Sequence, residues 1–187
     1  MAIKVYIDQG HNPQNPNAGA EGSGLREQDL VYRIGILLAD RLRANDAFEV
    51  RLSRPTPDTQ IGTSNSSSLR LRVADANAWG ADYFISLHTN ASSLPAATGS
   101  EAFAYAEPSA AFSLGEDILQ YMTQQTGLAN RGMKVRPGLY VLRKTTMPAV
   151  LVELGFITNA RDAALMRDEP QLFADGIYNG IVAYTGV

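Results

Sequence analysis

The chain has 187 residues, a net charge of −3, 45% hydrophobic and 19% charged residues, and no cysteine. That length suits one domain with a sizeable core. The acidic balance argues against nucleic acid as the main partner, because phosphate binding needs a basic face. The missing cysteines exclude disulfides, cysteine-based zinc ribbons and thiol nucleophiles.

No apolar run approaches membrane-spanning length. The N-terminus enters a strand directly, without the basic region and apolar stretch of a signal peptide. The expectation is a protein that leaves the cell by another route, or a domain of a longer chain.

Ile3 to Asp8 reads as a buried strand, leading into Gln9-Gly10-His11-Asn12. The loop that follows, Gln9 to Gly24, is rich in Gly, Asn and Pro and exceeds the usual connection length. A helix is predicted from Leu25 to Ala44, with Leu30, Val31, Ile34, Leu37, Leu38 and Leu42 on one face. Phe48 to Ser53 reads as a short strand ended by Pro55 and Pro57. A second helix, near Ser67 to Trp79, carries Leu69, Val73 and Ala76 at helical spacing. Tyr83 to Leu87 is the next strand, running into His88, and Ala91 to Gly99 is a second irregular loop.

Further along, Glu101 to Tyr105 reads as a strand and Ala110 to Gln125 as a helix. Leu139 to Leu142 and Ala149 to Val152 read as two more strands, the last running into Glu153. Leu172 to Tyr184 closes the chain as a helix. Strands alternating with helices, and near-continuous apolar strands, indicate an α/β fold. We expect a single domain over residues 1–187, with a mostly parallel twisted sheet of about six strands and helices on both faces.

The chain has two histidines, His11 and His88. Each sits just past a buried strand, at the edge where open α/β sheets carry their chemistry. A catalytic zinc site uses three protein ligands and keeps one position open. Without cysteine, the third ligand must be a carboxylate, and Glu27 at the start of the first helix is the best placed. Pattern alone leaves Glu27 either a ligand or a first-turn acid favoured by the helix dipole. Glu153 is either a polar strand end or a general acid–base beside the metal.

These residues fall in motifs that resemble the type-3, zinc-dependent N-acetylmuramoyl-L-alanine amidases. The motifs are Asp8-Gln9-Gly10-His11, Glu21 to Glu27, Ser53-Arg54 with Asp58, Arg72 to Asn77, Ser86-Leu87-His88-Thr89-Asn90, and Pro148 through Glu153-Leu154-Gly155-Phe156 to Asn159. They cover essentially the whole chain in order; Gln9 replaces a proline of the family pattern and Asn12 a common glycine. The resemblance implies zinc held by His11, Glu27 and His88, with Glu153 as the catalytic glutamate. It implies a hydrolase that cuts the amide between N-acetylmuramic acid and L-alanine of peptidoglycan, acting at the cell wall; charge and hydropathy add the expectation of neither nucleic acid nor membrane as partner. It does not fix the oligomeric state.

Arg72, Asn77 and Asp82 are expected to brace loops and helix, not to touch substrate. Asn90 would orient substrate or a ligand loop. Val141-Leu142-Arg143 resembles a strand near the cleft, and Arg143 would meet a substrate carboxylate or be a surface charge. Some relatives carry an inserted helix that plugs the cleft; residues 91–148 leave little room for one, so an open cleft is expected. A sporulation or phage lysin would suit a chain without wall-binding repeats. Two other functions use the same residues: a zinc peptidase resembling carboxypeptidases, and a silent module binding wall fragments. An intact Glu153 argues against the silent module.

Overall fold

A computed structural model describes residues 2–187. Its main sheet has six strands in the order β4-β1-β5-β8-β6-β7. These are β1 (Ile3–Gln9), β4 (Phe48–Leu52), β5 (Tyr83–Asn90), β6 (Ser100–Ala104), β7 (Asn130–Val135) and β8 (Ala149–Phe156). Strands β4, β1, β5 and β8 run parallel; β6 is antiparallel to β8, and β7 follows β6. A small hairpin, β2 (Glu21–Gly22) and β3 (Leu25–Arg26), interrupts the long first loop. The expected mostly parallel α/β domain is present.

Alternation along the strands divides the core. Val5, Ile7, Ile85, Leu87, Val150 and Val152 enter one cluster with Ile34 and Leu38 of α1 (Glu27–Arg43), Ile118 of α3 (Ala110–Thr126) and Ile177 of α6 (Pro170–Thr185). Tyr6, Phe84, Phe103 and Leu151 point the other way. They meet Val73 and Ala76 of α2 (Asn65–Trp79) and Val141 and Leu142 of α4 (Tyr140–Lys144). A short α5 (Ala160–Asp168), capped by Asn159 Oδ1, seats Met166 in the first cluster.

Two expectations are corrected. Leu139 to Leu142 is not a strand; residues from Tyr140 form α4. Val141 and Leu142 are adjacent and both buried, whereas successive strand residues point to opposite faces. The sixth strand is β7 instead. Its exposed ends and lack of buried apolar alternation gave no periodic signal. The first helix begins at Glu27, because Leu25 and Arg26 belong to the hairpin. No helix is long and apolar enough to cross a membrane among the described residues.

Candidate active site

The same alternation that builds the second core cluster delivers the polar residues. Two places beyond Phe84, Ser86 is buried, and two further comes His88. Leu151 is followed by Glu153 on the same face of β8, and Glu101 precedes Phe103 on β6. The register sets His88 beside Glu153 and Glu153 beside Glu101. One imidazole and two carboxylates therefore form a row across three neighbouring strands.

His11 reaches the row from the end of β1. Gly10 donates its N–H to the carbonyl of Leu87 at 3.0 Å. A Cβ at Gly10 would fall 2.5 Å from His88 Cε1, so only glycine lets the strand end approach the second histidine this closely. His11 itself has a left-handed backbone, φ 65°. Arg72, almost completely buried, holds that turn. Its Nη1 donates to Asp8 Oδ1 and to the Gln9 carbonyl, both at 2.7 Å, and its Nη2 to the His11 carbonyl and Asn12 Oδ1. Gln9 accepts from the Arg54 N–H at 2.9 Å and donates to its carbonyl at 3.0 Å. The glutamine that departs from the resembling motif thus stitches β1 to the end of β4. Arg72 and Asn77 brace as expected, Asn77 by bonding the segment after α4. Asp82 also braces, accepting from the Lys4 N–H at 2.8 Å.

Glu27, in the first turn of α1, lies between the histidines and is 3% exposed. Its Oε1 is 3.2 Å from His11 Nε2 and 3.1 Å from His88 Nδ1, and accepts from Thr89 N–H at 2.9 Å. Its Oε2 accepts from Ala20 N–H at 2.8 Å. The two imidazole rings stand nearly perpendicular, 78°, with centroids 4.9 Å apart. One ligand atom from each of His11, Glu27 and His88 lies within 4.8 Å of the others.

The donors fit a divalent metal. Tetrahedral zinc with nitrogen and oxygen ligands sets neighbouring ligand atoms about 3.3 Å apart, close to the two observed separations from Glu27. Burial pushes the Glu27 carboxyl up, but hydrogen bonds from His11 and His88 and their charge outweigh it and hold it far below the carboxylate range. Burial pushes His88 down, yet the Glu27 hydrogen bond and charge, with Glu153 and Asp8, leave its pKa raised. A site that favours a proton on imidazole in this way also favours a metal cation.

Glu153 faces the same cleft, of about 330 Å³, which His11, His88, Asn90, Glu101, Phe103, Arg136, Leu139 and Leu151 also line. Its Oε2 is buried without a hydrogen-bond partner among the described residues, as is His11 Nδ1. Burial raises the Glu153 carboxyl to about 7; the His88 charge opposes this, and Glu27 and Glu101 add to it. A carboxyl there can both take and return a proton near neutral pH. A larger cavity of about 450 Å³ beside the first loop, between Pro13 and Thr63, carries Asp58 as its one ionisable residue and has no partner for acid–base work.

Asn90 lines the cleft and donates to Glu101 Oε1 at 2.8 Å. Arg143 does not line it. That residue is exposed on α4, since the segment turns into a helix before reaching the site. Glu101 and Arg136 escaped the sequence reading. Glu101 stood in an expected strand, and the pairing of β6 with β8 would have found it. Arg136 follows β7, which had no pattern to follow. Among the described residues no helix plugs the cleft: α3 packs its apolar side against α6 and the first core cluster.

Known proteins share this fold. The catalytic domain of CwlV, an N-acetylmuramoyl-L-alanine amidase from Bacillus (Paenibacillus) polymyxa var. colistinus, superposes with a TM-score of 0.87 at 32% identity, covering 99% of each chain. The fold is that of an amidase catalytic domain. A family model described as N-acetylmuramoyl-L-alanine amidase matches residues 5–183, and the chain belongs to that family. The sporulation-specific N-acetylmuramoyl-L-alanine amidase of Bacillus subtilis is 34% identical over 96% of this chain and 67% of its own length. The N-acetylmuramoyl-L-alanine amidase LytC of Bacillus subtilis is 36% identical, again over 96% of this chain but 35% of its own.

Proposed function

We propose that this domain hydrolyses the amide joining the lactyl carboxyl of N-acetylmuramic acid to L-alanine in peptidoglycan, at the cell wall, with one zinc ion held by His11, Glu27 and His88. Family membership supports the amidase activity. The observation that carries the zinc reading is the Glu27 oxygen shared by two imidazoles at 3.2 and 3.1 Å, beside a cleft with an unpartnered Glu153 oxygen. When bound, zinc supplies Lewis acidity toward the scissile carbonyl and a lowered pKa for water.

The chain's own residues do the rest. Glu153 is the group that moves protons: it takes one from the attacking water and returns it to the leaving alanine amine. Its raised affinity for a proton suits both halves of that cycle. The buried wall of Phe103 and Leu151 excludes water from one side of the cleft. Arg72 keeps the His11 turn in place, so the donor set is formed before substrate arrives.

The test pairs metal content with the new end groups in digested cell walls. We expect one zinc per chain, loss of activity on chelation, and new L-alanine amino ends. Glu153→Gln is expected to retain zinc while turnover falls on the order of 100-fold or more. Full activity without metal rejects the zinc reading. Internal peptide amines in place of alanine amines reject the amidase reading, and zinc lost from the Glu153 variant makes that residue a ligand.

A further inference from the structure

Three basic residues follow one another along β7 and its exit: Arg131, Lys134 and Arg136. The first two are neutralised by the buried Glu101, Arg131 through Nε at 3.2 Å and Lys134 through Nζ. Arg136 is different. Among the described residues it has no ion-pair partner and no side-chain hydrogen bond. Yet it lines the cleft with His11, His88 and Glu153.

Its backbone is held, and its exposed side chain rests on one ring. The Arg136 N–H extends the β6–β7 ladder to the Ala104 carbonyl at 2.9 Å, and its carbonyl accepts from Leu139 N–H at 3.2 Å. The guanidinium lies 5.1 Å from the centroid of the Phe103 ring, within cation–π reach. Phe103 is nearly buried, so the ring is a firm support. A stacked guanidinium keeps its in-plane N–H groups free, and these match a carboxylate in two-point fashion.

The chemistry of the proposed substrate says where such a carboxylate can lie. Once the lactyl carboxyl is tied up in the scissile amide, the N-acetylmuramoyl side is uncharged. Any anion must belong to the peptide beyond the alanine. We infer that Arg136 is a specificity-determining residue that binds a carboxylate of the peptide portion of the substrate, held for that purpose on the Phe103 ring. This rests on the amidase reading above and adds to it the side of the cleft that takes the peptide.

The experiment compares two soluble probes, N-acetylmuramoyl-L-alanyl-D-glutamate and the same compound with both glutamate carboxyls as carboxamides. The wild-type protein is expected to favour the diacid in kcat/KM by about 10-fold or more, mostly through KM, as for a lost charge-assisted hydrogen bond. The ratio is expected to fall toward one in Arg136→Gln. Arg136→Lys is expected to keep part of it, because a point charge remains without the planar fork. Equal cleavage of both probes by wild-type protein overturns this inference and leaves the amidase reading intact, as does an Arg136→Gln variant with an undiminished ratio. Cleavage of neither probe overturns both.

Discussion

The two walls of the cleft are built on opposite plans. On one, His11, Glu27 and His88 sit on a cradle whose supports are almost wholly buried: Arg72, Asp8, Gln9, Ser86 and Glu27 itself. On the other, charges stand on the outer strand β7 and its exit, exposed and held mainly by Glu101. Buried pairs are costly to break, because the surviving partner keeps its desolvation. Exposed pairs are screened and contribute little. The cradle is therefore costly to disturb, while the far wall can lose one exposed basic partner of Glu101 at small cost to the fold as long as the other remains.

The largest effect is expected at Arg72. Arg72→Met strands Asp8 and the His11 turn and is expected to destabilise the fold by about 3–5 kcal/mol, read as a lower urea midpoint. Burial pushes the Asp8 carboxyl up, but the charge and hydrogen bond of Arg72, with Ser86, bring it below its ordinary value. A depressed carboxyl contributes stability at pH above its unfolded value of about 3.9, and that contribution is lost as pH falls. Removing the pair with the double variant Asp8→Asn, Arg72→Met is expected to flatten the acid limb of the stability curve. An unchanged limb would mean that the pair does not set it.

Next comes Glu27→Gln. The amide keeps the size and removes the charge shared by the histidines, so zinc affinity is expected to fall by at least about 10-fold. Titration with zinc under a competing chelator measures it, and wild-type affinity would return Glu27 to the role of a dipole-favoured acid. The smallest effect belongs to the far wall. Arg131→Ala removes an exposed partner of Glu101 while Lys134 remains, and is expected to cost under about 1 kcal/mol. If its midpoint falls as far as that of Arg72→Met, the contrast between the walls is wrong.

The same contrast explains what the sequence disclosed. Strands β1, β5 and β8 are buried on both faces, so their apolar runs mark them; His11 lies just past β1, while His88 and Glu153 are carried within β5 and β8, where the apolar runs give way to polar residues. Glu27 was legible as a helix-start acid, and the fold brings it to both histidines. The far wall left no such trace. Strand β7 is an edge, and edge strands need no apolar alternation. The run from Leu139 to Leu142 was short and apolar, a pattern that periodicity cannot divide between strand and helix. Arg136 enters the cleft only because β6 and β7 run against the parallel strands, a reversal decided by packing across the sheet.

That outer strand also governs how the molecule meets its own copies. A sheet with open edges offers unpaired backbone groups to any neighbour, the route to chain-to-chain sheet growth. Here both margins are guarded. Strand β7 exposes Arg131 and Lys134, and β4 at the opposite margin exposes Glu49 and Arg51. Pairing two β7 edges would bring Arg131 and Lys134 of each copy together and strip their exposed groups of water. The exposed charges that frame the cleft on one side thus also make that edge a poor template for strand pairing.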